Sequence, residues 1–187
     1  MSAEQVLCIN CTLKDRPAVL GQVGKKSDIV IIGEAPGRDE AAQGKPFVGR
    51  AGQLLNRVLE ELGINREDVN ISNSCLCHPI DDKGYNRRPS ADEVKCCNER
   101  LLMSIDSIEP KIIITLGAVA FYSLVDTGED LNDVKMGRVA GQIWESKNNY
   151  VVMATYHPAY ALRNPEYEAV IKEHIKKGLE YGLKKSS

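Results

Sequence analysis

Four short strand-like runs constrain the fold of this chain more than any other feature. They are Asp28–Ile32, Asp68–Ser74, Lys111–Gly117 and Tyr150–Tyr156. Segments with helical periodicity separate these runs, and strands that alternate with helices through short connections form a parallel sheet covered on both faces. The sequence therefore predicts an α/β protein, built as a three-layer α/β/α sandwich with a central four-stranded parallel sheet.

Capping residues mark the limits of the helical segments. Ser90 and Glu93 form a predicted capping box at the start of one helix, and Gly63 ends another. The segments predicted to be helical are Gly49–Leu62, Ser90 to about Ile108, Ala118–Val125, and Asn164 to about Leu183. Thr127–Lys147 is mixed and rich in turn-forming residues, so we expect an irregular excursion or a hairpin there.

Length and composition limit the class of protein. With 187 residues, 43% of them hydrophobic, the chain is long enough for one domain over residues 1–187, with residues 1–27 as an N-terminal segment. The net charge of -2 argues against a protein that coats nucleic acid indiscriminately, although it permits a local basic patch. Met1–Leu7 contains no basic segment followed by a long apolar stretch. We therefore expect a soluble, cytoplasmic protein without membrane association.

The stretch Gly33–Gly52 is the most distinctive local feature. It follows the first predicted strand and holds five glycines, two prolines and a single phenylalanine, Phe47. This composition is poorly suited to a packed core, but it allows the backbone to approach a small flat ligand closely. Open α/β sheets bind their ligands at the carboxyl ends of the strands. We therefore interpret this loop as part of a binding site.

Six cysteines indicate binding of a metal ion or a cluster. Thiols stay reduced in an intracellular chain, so a disulfide framework is not expected. Cys8 and Cys11 form a C-x-x-C pair, in which two thiolates can bind one metal ion or one edge of a cluster. Two further ligands must come from the remaining cysteines, which are Cys75, Cys77, Cys96 and Cys97. The spacing alone is compatible with zinc and with an iron–sulfur cluster.

The glycine-rich loop resembles the first motif of the uracil-DNA glycosylase superfamily, specifically its iron–sulfur branch, family 4. Asn73, at the end of the second predicted strand, matches that family, and His157–Arg163 resembles its second catalytic motif. Four cysteines fall where the family holds a 4Fe-4S cluster: Cys8, Cys11, Cys77 and Cys97. The matches span most of the chain. The resemblance implies hydrolysis of the N-glycosidic bond of uracil in DNA, which leaves an abasic site during base excision repair.

The resemblance also implies a role for each matching residue. Phe47 would stack on the base, which must leave the helix stack before its bond can be reached. Asn73 would read the uracil edge with one donor and one acceptor, and His157 would donate a hydrogen bond to O2 of the departing uracil. Glu40 would position or activate the attacking water. The other residues expected to line the base pocket are Gly33, Glu34 and Ala35.

The expected 4Fe-4S cluster would have a structural role. It would pin the N-terminal segment and the Cys77–Cys97 segment against the domain, and we interpret the two remaining cysteines as small buried hydrophobic residues. The expected partner is uracil-containing DNA, single- or double-stranded, and we expect the protein to be a monomer. The residues expected to contact DNA are Arg163, Leu162 and Arg88.

Two other functions remain open from the residues. Arg38 and Ala41 stand where the family often has acidic residues. This is compatible with a non-enzymatic iron–sulfur DNA-binding module of the same fold, associated with a polymerase or with replication. A zinc-containing phosphate or nucleotide binder that uses the glycine-rich loop is a third alternative. The intact set of expected catalytic residues favours the enzyme.

Overall fold

The computed structural model describes residues 8, 10–26 and 28–184. The strands are β1 (Ile29–Gly33), β2 (Asn70–Asn73), β3 (Ile112–Leu116), β4 (Ile143–Glu145) and β5 (Val151–Thr155). The helices are α1 (Arg38–Gln43), α2 (Arg50–Glu61), α3 (Ala91–Ile108), α4 (Ala118–Leu124), α5 (Met136–Val139), α6 (Pro158–Ala161) and α7 (Tyr167–Lys184), and a 3₁₀ turn spans Arg66–Asp68. The prediction made from residues 1–7 lies outside the described residues.

The five strands of the described chain form a sheet in the order β2-β1-β3-β5-β4. The first four run parallel, whereas β4 pairs antiparallel with β5 at one edge. The α/β/α architecture is thus confirmed, but the prediction of four strands is wrong. β4 lies inside the turn-rich segment Thr127–Lys147 and is three residues long. Because it has no aliphatic run, its pattern does not distinguish it from a loop.

Helices cover both faces of the sheet, because the side chains of successive strand residues point to opposite faces. On one face Ile31 and Ile114 pack against α2 and α7, and on the other Ile32 and Ile113 pack against α3 and α4. Burying each of these side chains contributes about 2 kcal/mol. None of the described helices is both long enough and apolar enough to span a membrane.

The described part of the N-terminal segment covers the edge of β2. Gln22 and Ile71 exchange two backbone hydrogen bonds of 2.7 and 3.0 Å, and Ala18 forms an antiparallel bridge with Cys77. An uncovered edge strand would offer unpaired backbone groups to other chains. The segment therefore shields this edge and places Cys11 near Cys77.

The register of the sheet brings three predicted site positions to one edge. Gly33 at the end of β1 pairs with Asn73 at the end of β2. Thr155 ends β5 and pairs with Leu116, the last residue of β3. His157 therefore begins the connection beyond that same edge. The carboxyl ends of parallel strands form the ligand crevice in sheets of this kind.

Candidate active site

Gly33 is the point at which Phe47 and Asn73 meet. A Cβ atom at Gly33 would lie 2.4 Å from Cζ of Phe47 and 2.5 Å from Oδ1 of Asn73. Both distances are far below van der Waals contact, so glycine alone leaves room for the ring and the amide. The two residues are 6% and 2% exposed. An aromatic ring and a hydrogen-bonding amide thus lie side by side where β1 and β2 end.

Phe47 is more buried than its place in a polar loop suggests. It belongs to the hydrophobic core on the α2 face, and its ring centroid lies 6.1 Å from that of His157, with 31° between the planes. Its backbone φ is 52°, in the left-handed region that residues with a Cβ atom rarely adopt. The ring therefore lies between the core and His157, so the same side chain packs in the core and lines the site.

His157 is held by the start of α6. It is the N-cap of that helix, and its Nδ1 atom accepts a hydrogen bond of 3.1 Å from the backbone N–H of Ala159. Burial lowers the pKa of His157 to about 4, Glu40 opposes this change and Arg163 adds to it. The imidazole is therefore neutral at pH 7, and its proton lies on Nε2, the nitrogen that is left to face a ligand.

Glu40 lies in α1, a short helix inside the predicted loop. Its Oε1 atom accepts hydrogen bonds from the backbone N–H groups of Val48 at 2.9 Å and Gly49 at 2.8 Å, and its Oε2 atom accepts one from Gly37 at 3.1 Å. A carboxylate offers about four acceptor sites. Glu40 therefore folds the loop around itself and keeps about one acceptor site for another donor.

A second carboxylate points to the same place. A Cβ atom at Gly49 would lie 2.9 Å from Oδ2 of Asp39 and 3.2 Å from Oε1 of Glu40. Gly49 therefore allows both carboxylates to approach the backbone that follows Phe47. Two carboxylates thus lie against the backbone of Gly49, two residues after Phe47.

Glu34 and Ala35 follow β1 on the other side of Gly33. The backbone carbonyl of Glu34 accepts a hydrogen bond of 3.1 Å from the N–H of Cys75. Burial raises the pKa of the Glu34 carboxyl, and the nearby Arg88 lowers it. Ala35 packs against the small apolar cluster that contains Cys75. The structure therefore places Glu34 between the end of β1 and Arg88, whereas Ala35 faces the cysteine region.

The residues predicted to contact DNA come from two segments, the one just after α6 and the loop before α3. Arg163 is exposed just beyond α6 and is close enough to His157 to lower its pKa. Leu162 is partly buried and packs against the α2 core. Arg88 is exposed in the loop before α3. The structure thus leaves the two guanidinium groups accessible and uses Leu162 partly for packing.

The four predicted ligand cysteines lie together. Burial and the neighbouring Cys97 and Cys11 raise the pKa of Cys8. Burial, followed by Cys97, Cys8 and Cys11, raises the pKa of Cys77 to about 11. These mutual effects require that the thiols of three separate segments be neighbours. The N-terminal turn, the segment after β2 and helix α3 therefore meet at one cysteine-rich site.

The remaining two cysteines lie at the same site. The S–H group of Cys75 donates a hydrogen bond to the sulfur of Cys97, which lowers the pKa of Cys97 to about 6. Cys96 is hydrogen-bonded to Cys11. Proximity alone therefore does not show which of the six cysteines are ligands. Cys75 donates a hydrogen bond to Cys97, so it is not the purely apolar residue that the sequence predicts.

An all-thiol donor set fits an iron–sulfur cluster, since such clusters are held by four cysteine thiolates. Among the described side chains, no group of three or more His, Cys, Asp or Glu residues is arranged to hold a single metal ion. Cysteines from three segments lie near one another and offer the all-thiol donor set that such a cluster requires. The residues present therefore fit the cluster that the sequence predicts.

Arg66 is a residue of this region that the sequence analysis missed. It lies in the 3₁₀ turn before β2, and its guanidinium donates hydrogen bonds to the backbone carbonyls of Pro46 at 2.7 Å and Phe47 at 3.1 Å. No motif includes it, and an arginine in a connecting turn is usually solvated. Only the folded geometry brings it to the loop, 19 residues away in sequence.

Comparison with known proteins decides the family. The family model of the uracil DNA glycosylase superfamily matches residues 20–179. The chain belongs to this superfamily. It is 38% identical to a type-4 uracil-DNA glycosylase of Sulfurisphaera tokodaii, over 96% of this chain and 82% of that protein. It is 41% identical to a type-4 uracil-DNA glycosylase of Saccharolobus solfataricus, over 91% of this chain and 79% of that protein. The resemblance found in the sequence is confirmed.

A viral protein is also similar over much of the chain. A DNA polymerase of Bacillus phage SP01 is 29% identical over 79% of this chain, but the matched part is 15% of the polymerase. A domain like this one is therefore also found as a small part of a larger protein.

Proposed function

We propose that this protein is a uracil-DNA glycosylase, which hydrolyses the N-glycosidic bond of uracil in DNA and leaves an abasic site. The observation that carries the proposal is the meeting of Phe47 and Asn73 at Gly33, with His157 next to the Phe47 ring. A ring, a base-reading amide and a neutral imidazole donor are the groups that excision of a flipped pyrimidine requires. Membership of the superfamily supports the same reaction.

Recognition of the base depends on Phe47 and Asn73. The flipped uracil stacks on the Phe47 ring, and the amide of Asn73 pairs with N3–H and O4 of the base. Cytosine has an acceptor at N3 and an amino group at the next position, so the same amide orientation mismatches both. Because Asn73 is almost completely buried, a mismatch leaves polar groups unpaired in a site that water barely reaches. We assign the wall beneath the base to Gly33, Glu34 and the backbone of Ala35, whose side chain packs against the cluster that contains Cys75.

Departure of the base depends on His157. Negative charge develops on uracil as the bond to the sugar breaks, and the Nε2–H group of a neutral imidazole stabilises it by donating to O2. The Ala159 N–H group holds the ring in the tautomer that this step needs. Neutrality before the reaction means that no proton has to be gained from solvent at pH 7.

Water attacks the sugar carbon as that carbon becomes cation-like. We assign the positioning of this water to Glu40, whose remaining acceptor site lies beside the loop and whose charge reaches His157. Asp39 is the alternative, because its carboxylate approaches the same backbone at Gly49. Arg163 and Arg88 are proposed to contact phosphates of the DNA, and Leu162 to fill space near the flipped base.

A 4Fe-4S cluster held by Cys8, Cys11, Cys77 and Cys97 is part of the proposal. When bound, it supplies a structural link and no step of the hydrolysis. The cysteines belong to three separate segments, so a shared ligand set would fix the relative positions of these segments. We assign Cys75 and Cys96 to supporting positions next to these ligands. We further propose one domain over the whole chain and a monomer in solution.

An excision assay with matched asparagine variants tests the proposal. The substrate is an oligonucleotide with one uracil, single-stranded or opposite guanine, and alkaline cleavage reveals abasic sites. We expect the parent protein to cleave it and Asn73→Asp to lose excision, because a carboxylate cannot donate to O4. Asn70→Asp is the control: Asn70 is also buried in β2, but its amide bonds to backbone groups of residues 24 and 26.

Three outcomes matter. Excision by the parent and by Asn70→Asp, without excision by Asn73→Asp, is the expected result. Full activity of Asn73→Asp overturns the assignment of base reading. A folded, brown parent that binds uracil-containing DNA without excision overturns the enzyme and favours the binding module, the alternative to which the match with part of a phage DNA polymerase points.

A further inference from the structure

The guanidinium group of Arg66 donates four hydrogen bonds. Its Nη2 atom donates to the Pro46 carbonyl at 2.7 Å, and its Nη1 atom donates to the Phe47 carbonyl at 3.1 Å and to Oδ1 of Asn56 at 2.6 Å. Its Nε atom donates to Oε1 of Gln22 at 3.1 Å. The guanidinium thus joins the glycine-rich loop, helix α2 and the N-terminal segment.

The loop that Arg66 contacts has a disfavoured backbone. Phe47 is in the left-handed region, where its Cβ atom crowds the neighbouring carbonyl. The Phe47 carbonyl lies against the start of α2, since a Cβ atom at Gly52 would stand 2.0 Å from that oxygen. A backbone in this region persists only when the surroundings fix it. Two adjacent carbonyls held by one rigid guanidinium provide such a constraint.

The planar fork of arginine is essential to this arrangement. Five N–H groups in fixed directions can reach two carbonyls and two side-chain oxygens at once, whereas a lysine ammonium is a compact charge with three donors. Arg66 is partly buried, and burial lowers its pKa without removing its charge at pH 7. A charged donor also makes stronger hydrogen bonds to carbonyls than a neutral donor does.

We propose that Arg66 is a positioning residue for base recognition: it holds the main chain at Pro46 and Phe47 so that the Phe47 ring is presented to the flipped base. The inference rests on the proposed function, because it needs Phe47 to be the stacking surface. Arg66 itself contacts neither DNA nor base. Its effect on the reaction passes through the orientation of one ring.

A double-mutant cycle between Arg66 and Phe47 tests this proposal. Single-turnover excision is measured for the parent, Arg66→Ala, Phe47→Ala and the double variant. Displacing a substrate-contacting group by about 1 Å slows a reaction on the order of 10- to 100-fold, and we expect that loss for Arg66→Ala. In the Phe47→Ala background, Arg66→Ala should cause little further loss, because the ring it positions is gone.

Rescue and control variants separate positioning from general stability. Added guanidinium at concentrations that do not unfold the protein should restore part of the Arg66→Ala rate, and Arg66→Lys should remain slow because it lacks the fork. Arg57→Ala is the matched control, since Arg57 forms an exposed ion pair with Glu168 at 3.1 Å. If Arg66→Ala fails to fold, Arg66→Gln replaces it in the cycle.

The outcomes distinguish this inference from the proposed function. An active parent whose losses multiply in the double variant overturns the role of Arg66 and leaves the glycosylase intact. Full activity of Arg66→Ala does the same. A parent that excises no uracil overturns the proposed function, and the role of Arg66 falls with it. A double variant that is little slower than Phe47→Ala, together with rescue of Arg66→Ala by guanidinium, supports both the role of Arg66 and the proposed function.

Discussion

The Nδ1 atom of His157 accepts a hydrogen bond from the backbone N–H of Ala159 at 3.1 Å, so the imidazole proton lies on Nε2. The side chain that caps α6 is therefore the same one that faces the site. Protonation of Nδ1 would replace this bond with two donors facing each other. The cap and the burial of the ring thus act together to keep His157 neutral.

We expect excision by the parent to show no inflection from His157 near pH 6.5. The pKa of His157 is lowered to about 4 by burial, so the ring keeps the same charge from pH 8 to about pH 5.

The same lowered pKa makes the stability of the fold depend on pH. Between about pH 6.5 and 4 the unfolded state binds more protons than the folded state, so the free energy of unfolding falls as the pH falls. Single-turnover rates and urea midpoints between pH 4 and 8 measure both effects.

His78→Asn is the control for this pH profile. His78 is hydrogen-bonded to Asn86 and is assigned no step of the reaction, so its replacement should leave the pH profile unchanged. A step in the excision rate near pH 6.5 that persists in His78→Asn and is lost when His157 is replaced would contradict the assigned neutral state.

Replacing Gly33 with alanine should abolish most of the activity while leaving the fold in place. The added methyl group would lie 2.4 Å from the Phe47 ring and 2.5 Å from the Asn73 amide, so one of them must move. A shift of this size costs about 100-fold in rate, and overpacking costs about 1–3 kcal/mol of stability. Single-turnover excision and thermal unfolding of the same sample measure the two effects.

Gly137→Ala is the matched control for Gly33→Ala. Gly137 lies in α5, and a Cβ atom there would have no neighbour within 4 Å. It should therefore change the excision rate little. Equal rates for the parent and Gly33→Ala would contradict the convergence of the ring and the amide at this glycine.

The sequence predicts the architecture well because the composition of most strands identifies them. Aliphatic strands such as Ile112–Leu116 are fully buried, so their composition alone indicates them. β4 is not predicted because Ile143 and Trp144 are only partly buried and Glu145 is exposed.

The burial of Phe47 is also not predicted. Its place in a polar loop suggests exposure, but its ring is buried because α2 passes beneath the loop. Local composition does not reveal that contact.

The site is predictable where residues belong to contiguous motifs and unpredictable where they come from the folded connections. Gly33 and Asn73 end strands and His157 follows one, so their meeting at one sheet edge can be expected from the parallel topology. Arg66 reaches the loop only because the chain turns back before β2. Pairing of the N-terminal segment with β2 places Gln22 next to Arg66, and the sequence contains no local pattern for this contact.

Acid should destabilise the fold through Glu93. This carboxylate is 3% exposed and accepts hydrogen bonds from Arg87 at 2.6 and 2.8 Å and from Thr12 at 2.6 Å. The hydrogen bonds from Arg87 are the main reason that the pKa of Glu93 is lowered to about 2. A lowered carboxyl pKa stabilises the fold above about pH 4.5, and the contribution is lost as the pH falls towards 2.

We therefore expect Glu93→Gln to lower the free energy of unfolding at pH 7 by about 1–3 kcal/mol, because it removes the charged acceptor of the Arg87 hydrogen bonds. The variant should also lose much of the acid dependence between pH 4.5 and 2. Urea unfolding at pH 7 and pH 3 measures this, with Glu99→Gln on the exposed side of the same helix as the control. Parallel losses on acidification in parent and Glu93→Gln would argue against the role of this ion pair.

Replacing different cysteines should have different effects on iron content and stability, although all six lie near one another. Cys77→Ser removes a proposed ligand, so we expect loss of iron, of acid-labile sulfide and of visible absorbance, together with a lower unfolding temperature. Cys96→Ser removes a thiol hydrogen-bonded to Cys11, and should keep the iron. Iron and zinc analysis of the purified variants decides between these outcomes. Equal iron loss in both variants would reject the proposed ligand set, and stoichiometric zinc without sulfide in the parent would replace the cluster with a zinc ion.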